Sequence, residues 1–320
     1  MNTTILEIKN LSKTFQVKKG YFFSQAFGVI KAVHDVSFSV QKGETFALVG
    51  ESGCGKTTTA RIIARLLEAD SGEIIFEDED ITHSSAERTR ELRRKIQMIF
   101  QDPLSSLNPR QTIMDIVAEP LIVQKASSRD ELKEKVVLAM DEVGLNDSFL
   151  RRYPHQLSGG QRQRVMIARA LILSPDFLIA DEPVSALDVS VQAQVLNLLK
   201  ELKQMKGFSS LFVSHDLAVV SYVSNTVGVM YMGRIVESGP TEKVFSNPLH
   251  PYTRGLLASA PDVAKNEPSK VIAGEIPDPI HLPQGCVFAP RCPIKQEICM
   301  EQKPVYEIKN SLWYTACHFV

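Results

Sequence analysis

The chain has 320 residues and a formal net charge of −1, with 44% hydrophobic and 23% charged residues. This length suggests about two domains, and the near-neutral charge argues against a general nucleic-acid-binding surface. The N-terminal residues contain no apolar signal region, and no apolar run reaches the roughly 18 residues that a membrane span needs. We therefore expect a protein that is not secreted and that reaches a membrane only through a partner.

The first 43 residues predict an antiparallel patch of sheet. Ile5–Phe15 and Ala32–Val40 alternate apolar and polar residues, which is typical of half-exposed strands. An aromatic-rich, glycine-punctuated insertion at residues 18–30 separates them. Lys42 and Gly43 are expected to turn the chain into the next strand.

A glycine-rich stretch follows and organises the rest of the chain. Thr45–Val49 predicts a short buried strand, the stretch GESGCGKTT begins at residue 50, and Thr58–Leu67 predicts a helix. Strand, G-x-x-x-x-G-K-[ST] and helix is the context of a phosphate-binding loop. Backbone N–H groups and the helix N-terminus attract the anion, the lysine would hold the β- and γ-phosphates, and the threonine hydroxyl would hold Mg²⁺. The candidate nucleotide-binding residues are Gly50, Glu51, Ser52, Gly53, Cys54, Gly55, Lys56, Thr57 and Thr58.

The next hundred residues combine α/β elements with a helical insertion. Ser71–Phe76 predicts a strand, Ala86–Lys95 a helix and Lys95–Phe100 a buried strand. The stretch Gln101–Arg110 is rich in Pro, Asn and Ser and predicts a loop. Apolar residues near 3.6 spacing then predict helices over about 112–152.

A second anion-binding helix start is expected at LSGGQ, Leu157–Gln161, which precedes a predicted helix at Arg162–Leu173. Ser-Gly-Gly before a helix offers unpaired N–H groups and the positive end of the helix dipole. The same three residues occur in ordinary loops, so this signal is weak when taken alone.

An apolar strand, Phe177–Ala180, ends at two adjacent acids, Asp181 and Glu182. Strand ends of this kind lie at the edge of the sheet where α/β folds bind ligands. The first acid can order Mg²⁺, and the second can polarise an attacking water as a general base. Adjacent acids are also common in solvated turns, so the interpretation depends on the phosphate loop.

The remaining periodic segments predict a helix at Val189–Met205, a strand at Ser209–Val213 and a hairpin formed by Thr226–Met232 and Arg234–Ser238. The alternation of strands and helices predicts an α/β fold with a mainly parallel, covered sheet.

After Asn247 the composition changes to a proline-punctuated linker with one short helix near 252–260. Four cysteines follow with the spacing C-x5-C-x6-C-x17-C: Cys286, Cys292, Cys299 and Cys317. Four thiolates suit a soft metal or an iron–sulfur cluster. Zinc sites usually use close C-x2-C pairs, two disulfides would need an oxidising compartment, and four buried reduced thiols are the alternative without a metal.

Together these motifs, with SALD at Ser185–Asp188, resemble an ATP-binding cassette ATPase over about residues 5–245. The resemblance implies a P-loop NTPase (RecA-like) core with an N-terminal antiparallel β subdomain and a helical subdomain. It assigns adenine stacking to Phe15 and the γ-phosphate switch to His215. Mg²⁺ would be held by Thr57, Gln101 and Asp181, hydrolysis would depend on Glu182, His215 and Gln101, and cross-subunit contacts would come from Ser158, Gly159, Gly160, Gln161 and Asp188.

Two phosphate-binding helix starts separated by a helical insertion favour a head-to-tail dimer. In such a dimer each LSGGQ would close on the phosphate loop of the opposite subunit. ATP would then hold the two subunits together, and hydrolysis would release them.

Further segments resemble the ATPase subunits of dipeptide and oligopeptide importers: QDPLSSLNPR at 101–110, DEPVSALDVSVQAQVLNLL at 181–199, HPYTRGLL at 250–257 and FAPRCP at 288–293. The insertion that contains KKG at 18–20 and the segment HDVSF at 34–38 resemble the second of the two paralogous ATPases more than the first. The resemblance implies ATP, Mg²⁺ and a [4Fe–4S] cluster as cofactors. It implies a paralogous ATPase, two transmembrane permeases and an extracytoplasmic binding protein as partners, no nucleic acid, and a peripheral location on the cytoplasmic face of the bacterial inner membrane. We expect a cassette at 1–247, with its helical subdomain at about 102–164, and an accessory region at 248–320.

Three alternatives remain open from the sequence. Nickel and glutathione importers share much of this pattern, so the cargo is not determined. A soluble cassette ATPase that acts on ribosomes or DNA usually carries two cassettes or a long coiled coil, and this chain has neither. A regulatory, non-hydrolysing subunit is disfavoured by the intact Glu182 and His215.

Overall fold

The computed structural model of the chain describes residues 3–19, 25–125, 128–259, 274–275, 277–310 and 313–320. The strands are β1 (Thr4–Lys19), β2 (Gln25–Gln41), β3 (Thr45–Val49), β4 (Ser71–Phe76), β5 (Glu79–Asp80), β6 (Ile96–Ile99), β7 (Phe177–Asp181), β8 (Ser209–Ser214), β9 (Thr226–Tyr231), β10 (Arg234–Pro240), β11 (Glu307–Asn310) and β12 (Trp313–Thr315). The helices are α1 (Lys56–Ile63), α2 (Ala86–Lys95), α3 (Pro103–Ser106), α4 (Ile113–Val123), α5 (Arg129–Glu142), α6 (Gly159–Leu171), α7 (Val189–Lys206), α8 (Leu217–Val223), α9 (Thr241–Ser246), α10 (Pro251–Ser259) and α11 (Glu297–Glu301).

These segments form two compact units. One unit contains residues 41–44 and 83–213, and the other contains the described parts of 3–40, 45–82 and 214–320. Within the described residues, no helix combines the length and the apolar character needed to cross a membrane.

In the first unit, three parallel strands lie in the order β8-β7-β6. Every residue of β7 and β8 is buried, which fits a parallel sheet covered on both faces. Helix α6 packs against α4, α5, α7 and β6. Because parallel strands share a direction, the residues that follow β6 and β7 meet at one edge of this sheet.

In the second unit, an antiparallel sheet has the strand order β2-β1-β4-β5. A further set of strands lies in the order β11-β12-β10-β9-β3. In that set β3 and β9 are parallel, whereas β9, β10, β12 and β11 pair antiparallel in turn. The C-terminal strands are therefore continuous with the strands that carry the phosphate loop.

The predicted α/β class and antiparallel N-terminal patch are confirmed, and several boundaries differ. The helix after the phosphate loop spans Lys56–Ile63 rather than Thr58–Leu67, because Gly55 adopts a left-handed φ of 110° and caps it directly. The helix after LSGGQ begins inside the motif, at Gly159 rather than Arg162, because Ser158 caps it.

Two other expectations were wrong in part. The stretch Gln101–Arg110 was expected to be a loop, and it contains the helical turn α3, which Pro103 opens and the Asp102 carboxylate caps through the Ser105 N–H. The insertion at 18–30 is largely strand, since β1 runs to Lys19 and β2 begins at Gln25, and residues 20–24 lie outside the described residues. The short helix α8 was not predicted.

The tail is anchored by a buried carboxylate. Glu237 in β10 is fully buried, and its two oxygens accept the backbone N–H groups of Leu249 and His250, each at 2.9 Å, and the indole N–H of Trp313 at 2.9 Å. Buried charges are tolerated when donors surround them in this way. The short helix expected near 252–260 is α10, whose start this carboxylate fixes; the expected linker residues 260–273 lie outside the described residues.

His250 makes this anchor sensitive to acid. Its ring is buried, its Nδ1 accepts the Tyr252 N–H at 3.0 Å, and burial lowers the pKa of the ring to about 3. In the unfolded chain the pKa is about 6.5. Because the folded-state pKa is the lower one, the contribution of the neutral ring to stability is fully present above pH about 6.5 and is lost as the pH falls toward 3.

We predict that His250→Asn, which keeps an acceptor for the Tyr252 N–H, makes the protein lose less stability as the pH falls from 7 to 5. The free energy of unfolding of the wild type should fall by about 2 kcal/mol more than that of the variant over this interval. Urea denaturation at the two pH values measures the difference. The same substitution at the exposed His83 is the control, and equal pH dependence in all three proteins would contradict the prediction.

Candidate functional site

The phosphate loop lies between a buried strand and a helix start. All five residues of β3 are buried, and they deliver the chain to Gly50. The loop ends at Gly55, which caps α1 without any side-chain hydrogen bond. The first N–H groups of α1 are therefore available to an anion. Thr57 and Thr58 occupy this first helical turn and are half-buried.

Two glycines of the loop lie directly against other backbone. A Cβ on Gly50 would come within 2.1 Å of the carbonyl oxygen of Met230, and a Cβ on Gly55 within 2.1 Å of that of Ala32. Both have positive φ, at 152° and 110°. Only glycine fits such positions. The loop is held further by the Gly233 N–H, which donates to the Cys54 carbonyl at 2.9 Å.

Lys56 lies inside the loop rather than in solvent. Its ammonium donates to the carbonyl oxygens of Gly50 at 2.8 Å and Glu51 at 3.0 Å, and the residue is 4% exposed. The Sγ of Cys54 lies 3.7 Å from the ammonium nitrogen, and burial raises the pKa of this thiol. A cation surrounded by inward-facing backbone fits a triphosphate. In contrast, Ser52 and Gly53 are exposed at the tip of the loop.

Glu51 has partners that the sequence analysis missed. Its carboxylate accepts two hydrogen bonds from Arg291, at 2.7 and 3.0 Å, and its backbone N–H donates to the Tyr252 hydroxyl at 3.0 Å. Both partners come from the C-terminal region. They lie in the segments HPYTRGLL and FAPRCP, which resemble those of peptide-importer ATPases. No local sequence pattern connects either segment with residue 51.

The catalytic candidates of the other unit meet at the edge of its parallel sheet. Asp181 is the buried last residue of β7, and Gln101 follows β6. The Gln101 amide donates to Oε2 of Glu182 at 2.8 Å. Glu182 has a φ of 46°, an uncommon value for a residue other than glycine and one often found at active sites. Its N–H donates to the Val213 carbonyl at 2.9 Å and fixes this turn.

The LSGGQ segment has a closed helix cap. The Ser158 hydroxyl accepts the Gln161 N–H, and the Gln161 side chain accepts the Ser158 N–H at 3.0 Å. A Cβ on Gly160 would lie 2.6 Å from Val191, and one on Gly159 would lie 3.3 Å from Leu187. The motif therefore lies against both SALD and the first turn of α7, and Asp188, the last residue of SALD, is the exposed cap residue of α7.

Two further candidates lie in the unit that carries the phosphate loop. His215 is exposed and follows β8 directly in the chain. Phe15 on β1 is 39% exposed, and the Lys13 ammonium lies 5.9 Å from the centroid of its ring. An exposed ring beside a cation suits stacking with a flat base. The structure thus groups the loop residues in one unit and Gln101, Asp181, Glu182 and the LSGGQ segment in the other.

The four tail cysteines, Cys286, Cys292, Cys299 and Cys317, are free thiols. Burial raises the pKa of Cys286 to about 11, with further contributions from Cys299 and Cys292, and the Cys292 pKa is raised by burial and by Cys317. The Cys286 N–H donates to the Cys299 carbonyl at 2.8 Å. In the described part of the chain, however, no group of three or more His, Cys, Asp or Glu side chains is arranged to hold a metal ion. The geometry does not fit a finished four-cysteine centre.

Comparison with known proteins decides the family. Residues 33–185 match the ABC transporter family, and residues 236–299 match the oligopeptide/dipeptide transporter C-terminal region. The chain is 48% identical to the oligopeptide transport ATP-binding protein AppF of Bacillus subtilis, over 98% of this chain and 97% of that protein. This chain belongs to the ABC transporter family. The resemblance stated from the motifs is therefore confirmed, and this family implies the use of ATP and Mg²⁺.

Other members of the ABC transporter family are similar over almost the same length. The di/tripeptide transport ATP-binding protein DppF of Pseudomonas aeruginosa is 46% identical, over 98% of this chain and 97% of that protein. Among solved structures, the dimeric post-hydrolysis structure of the cassette MJ0796 bound to ADP and Pi is 29% identical with a TM-score of 0.65. It covers 74% of this chain and 98% of MJ0796, so the fold match is a match to a whole ABC cassette.

We predict that Gly55→Ala abolishes the capture of nucleotide. Its Cβ would collide with the Ala32 carbonyl, so the loop must move out of the conformation that aims its N–H groups inward. Equilibrium titration with Mg-ATP should show a loss of affinity of at least about tenfold.

Gly43→Ala is the matched control. Gly43 also has a left-handed φ, of 75°, but a Cβ there has no atom within 4 Å. It should cost about 1 kcal/mol of stability and leave the affinity for Mg-ATP unchanged. Wild-type affinity in Gly55→Ala would contradict the steric argument.

Proposed function

We propose that this chain is the ATP-hydrolysing subunit that powers import of dipeptides or oligopeptides across the bacterial cytoplasmic membrane. The observation that carries the proposal is the match at residues 236–299 to the C-terminal region of oligopeptide/dipeptide transporters. Its support is extended by relatives that match almost the full chain and are named as oligopeptide and di/tripeptide transport ATP-binding proteins. A cassette match alone would leave the transported substrate open.

Capture of ATP follows from the phosphate loop. Backbone N–H groups of the loop and of the start of α1 would surround the β- and γ-phosphates, and Lys56 would exchange loop carbonyls for phosphate oxygens as partners. Phe15 would stack on adenine. Thr57, Asp181 and Gln101 would hold Mg²⁺ through oxygen ligands, which this cation prefers, and the cation would neutralise negative charge on the phosphates.

Hydrolysis would depend on the acid at the strand end. Glu182 would accept a proton from the attacking water. The oxygen of that water bonds to the γ-phosphorus while the bond between the γ-phosphorus and the bridging oxygen of the β-phosphate breaks, which gives ADP and phosphate. The amide of Gln101, which donates to Glu182 at 2.8 Å, would orient this carboxylate. His215 would contact the γ-phosphate and report whether it is present.

The second anion site supports a dimer. Ser158 and Gly160 would contact the γ-phosphate of ATP held by the opposite subunit, and Asp188 would communicate between the two sites. MJ0796, a relative in fold and sequence, is dimeric with ADP and Pi bound. We infer that the partner is a paralogous ATPase.

The remaining partners follow from the proposed import function. The dimer would bind two transmembrane permeases at the cytoplasmic face of the inner membrane. An extracytoplasmic binding protein would deliver the peptide, and no nucleic acid is involved. The chain would thus be a peripheral component of an assembly whose other subunits span the membrane.

We predict that Glu182→Gln keeps ATP binding and stops both turnover and uptake. The amide retains the shape of the side chain but cannot accept the proton, so ATP hydrolysis should fall about 100-fold or more. In a strain that lacks the chromosomal copy of this gene, the wild-type gene should restore uptake of a labelled dipeptide or oligopeptide, and the variant should not.

Glu201→Gln, at an exposed position of α7, is the control and should behave as the wild type. Restoration of nickel or glutathione uptake without peptide uptake would overturn the peptide assignment. Undiminished hydrolysis by Glu182→Gln would refute the assigned base.

We further infer that the four tail cysteines bind a [4Fe–4S] cluster in the assembled transporter. Their number and their spacing support this inference. Cluster assembly would have to displace the thiol protons and bring the side chains closer together. Chain purified without oxygen should contain about four iron and four sulfide ions. A stoichiometric zinc ion, or no metal at all, would contradict the inference.

A further inference from the structure

The phosphate loop contains a carboxylate that opposes its proposed task. Glu51 is the second residue of the loop, between Gly50 and the turn that ends at Gly55. A loop that captures a triphosphate concentrates positive potential, from inward N–H groups, a lysine and a helix start. A bare carboxylate at this position would repel the phosphates, and its charge must therefore be compensated.

The compensation comes from 240 residues further along the chain. Arg291 donates to both oxygens of Glu51, from Nη1 at 2.7 Å and from Nη2 at 3.0 Å. The Arg291 side chain is 4% exposed and that of Glu51 is 24% exposed. A two-point pair with a buried guanidinium is oriented and poorly screened by salt, unlike an ordinary surface ion pair. The hydrogen bonds that Arg291 donates to Glu51 raise the pKa of Arg291 above its usual range, so the guanidinium stays charged.

The surroundings of Arg291 prevent it from moving away. Its guanidinium lies 5.9 Å from the centroid of the Tyr231 ring, and Tyr231 packs on Tyr252 and Phe288 with centroids 4.6 and 5.3 Å apart. Tyr252 in turn accepts the Glu51 N–H at 3.0 Å. Side chain and backbone of the same loop residue are thus both held by the C-terminal region.

We propose that Arg291 is a positioning residue of the ATP site, which neutralises Glu51 and sets the affinity of the phosphate loop for the triphosphate. The inference rests on the proposed ATP-binding function. It makes the C-terminal region a working part of the nucleotide site. It predicts that Glu51 becomes inhibitory as soon as Arg291 is lost.

The decisive experiment is a double-mutant cycle on the full chain, with Mg-ATP as the titrant. Arg291→Gln, which can still hydrogen-bond, should weaken Mg-ATP binding about tenfold, because an unpaired carboxylate then faces the phosphates at short range. Glu51→Gln in the same protein should restore the affinity to within about twofold of the wild type. Arg291→Lys, which keeps the charge but loses the two-point contact, should lie between.

Two readouts separate this role from a merely structural one. The loss of affinity in Arg291→Gln should shrink as salt rises from about 0.05 to about 0.5 M, because the repulsion is electrostatic. It should also be smaller for ADP, which carries less charge, than for ATP. Arg88→Gln, which breaks the 2.6 Å ion pair with Glu91 outside the loop, is the control and should leave affinity unchanged.

Each outcome decides the matter. A folded Arg291→Gln chain that binds Mg-ATP as tightly as the wild type overturns the proposal, and so does a weakened chain that Glu51→Gln fails to rescue. If Arg291→Gln does not fold, Glu51→Gln alone is the test, since it removes the negative charge from the phosphate loop while Arg291 is kept, and it should tighten binding severalfold. Unchanged affinity there overturns the proposal. A wild-type chain that binds no Mg-ATP refutes the proposed function itself.

Discussion

The phosphate loop is held in its conformation by direct contact between its backbone and the backbone of neighbouring strands. Gly50 and Gly55 leave no room for a side chain against the carbonyls of Met230 and Ala32. The loop can therefore curve inward only because β9 and β2 contact its two ends directly. Close contact of this kind fixes the direction of the N–H groups before any ligand arrives, so little conformational entropy remains to be lost on binding. The spacing of the two glycines in the motif follows from this steric constraint.

A buried carboxylate, Glu237, and a half-buried one, Glu51, extend that constraint into the C-terminal region. Glu237 gathers backbone and indole N–H groups from both ends of this region, and Glu51 pairs with Arg291. Each would be costly if its partners were removed, because an ion without its donors remains buried. The tail is consequently packed as core: β12 pairs with β10, and Phe288, Tyr231 and Tyr252 form one apolar cluster. A region that resembles an appendage in composition is in fact part of the unit that carries the loop.

The sequence was sufficient wherever the determinant is local. The phosphate loop and the parallel strand that ends in Asp181 each depend on residues within a few positions, and their patterns predicted them. It was insufficient where partners are distant. No periodicity connects Arg291 with Glu51, and the proline-rich composition after Asn247 concealed the strand pairing of Trp313–Thr315. The left-handed φ of Glu182 was equally unpredictable, since the Val213 carbonyl that accepts its N–H comes from a neighbouring strand.

The positions that a motif leaves free need not be free in the protein. In G-x-x-x-x-G-K-[ST] the second residue is unspecified, because many side chains fit the loop sterically. When that residue is glutamate, its negative charge has to be neutralised, although its size is not a difficulty. Only a cation from elsewhere in the fold can neutralise it. The charge of a surface lysine would be screened by salt, and its side chain would be mobile. The guanidinium of Arg291, which lies against the Tyr231 ring, is neither screened nor mobile to the same degree. A charged residue at an unspecified motif position is therefore best interpreted together with its distant partner, and here that partner lies next to Cys292, within the region that distinguishes this chain from a bare cassette.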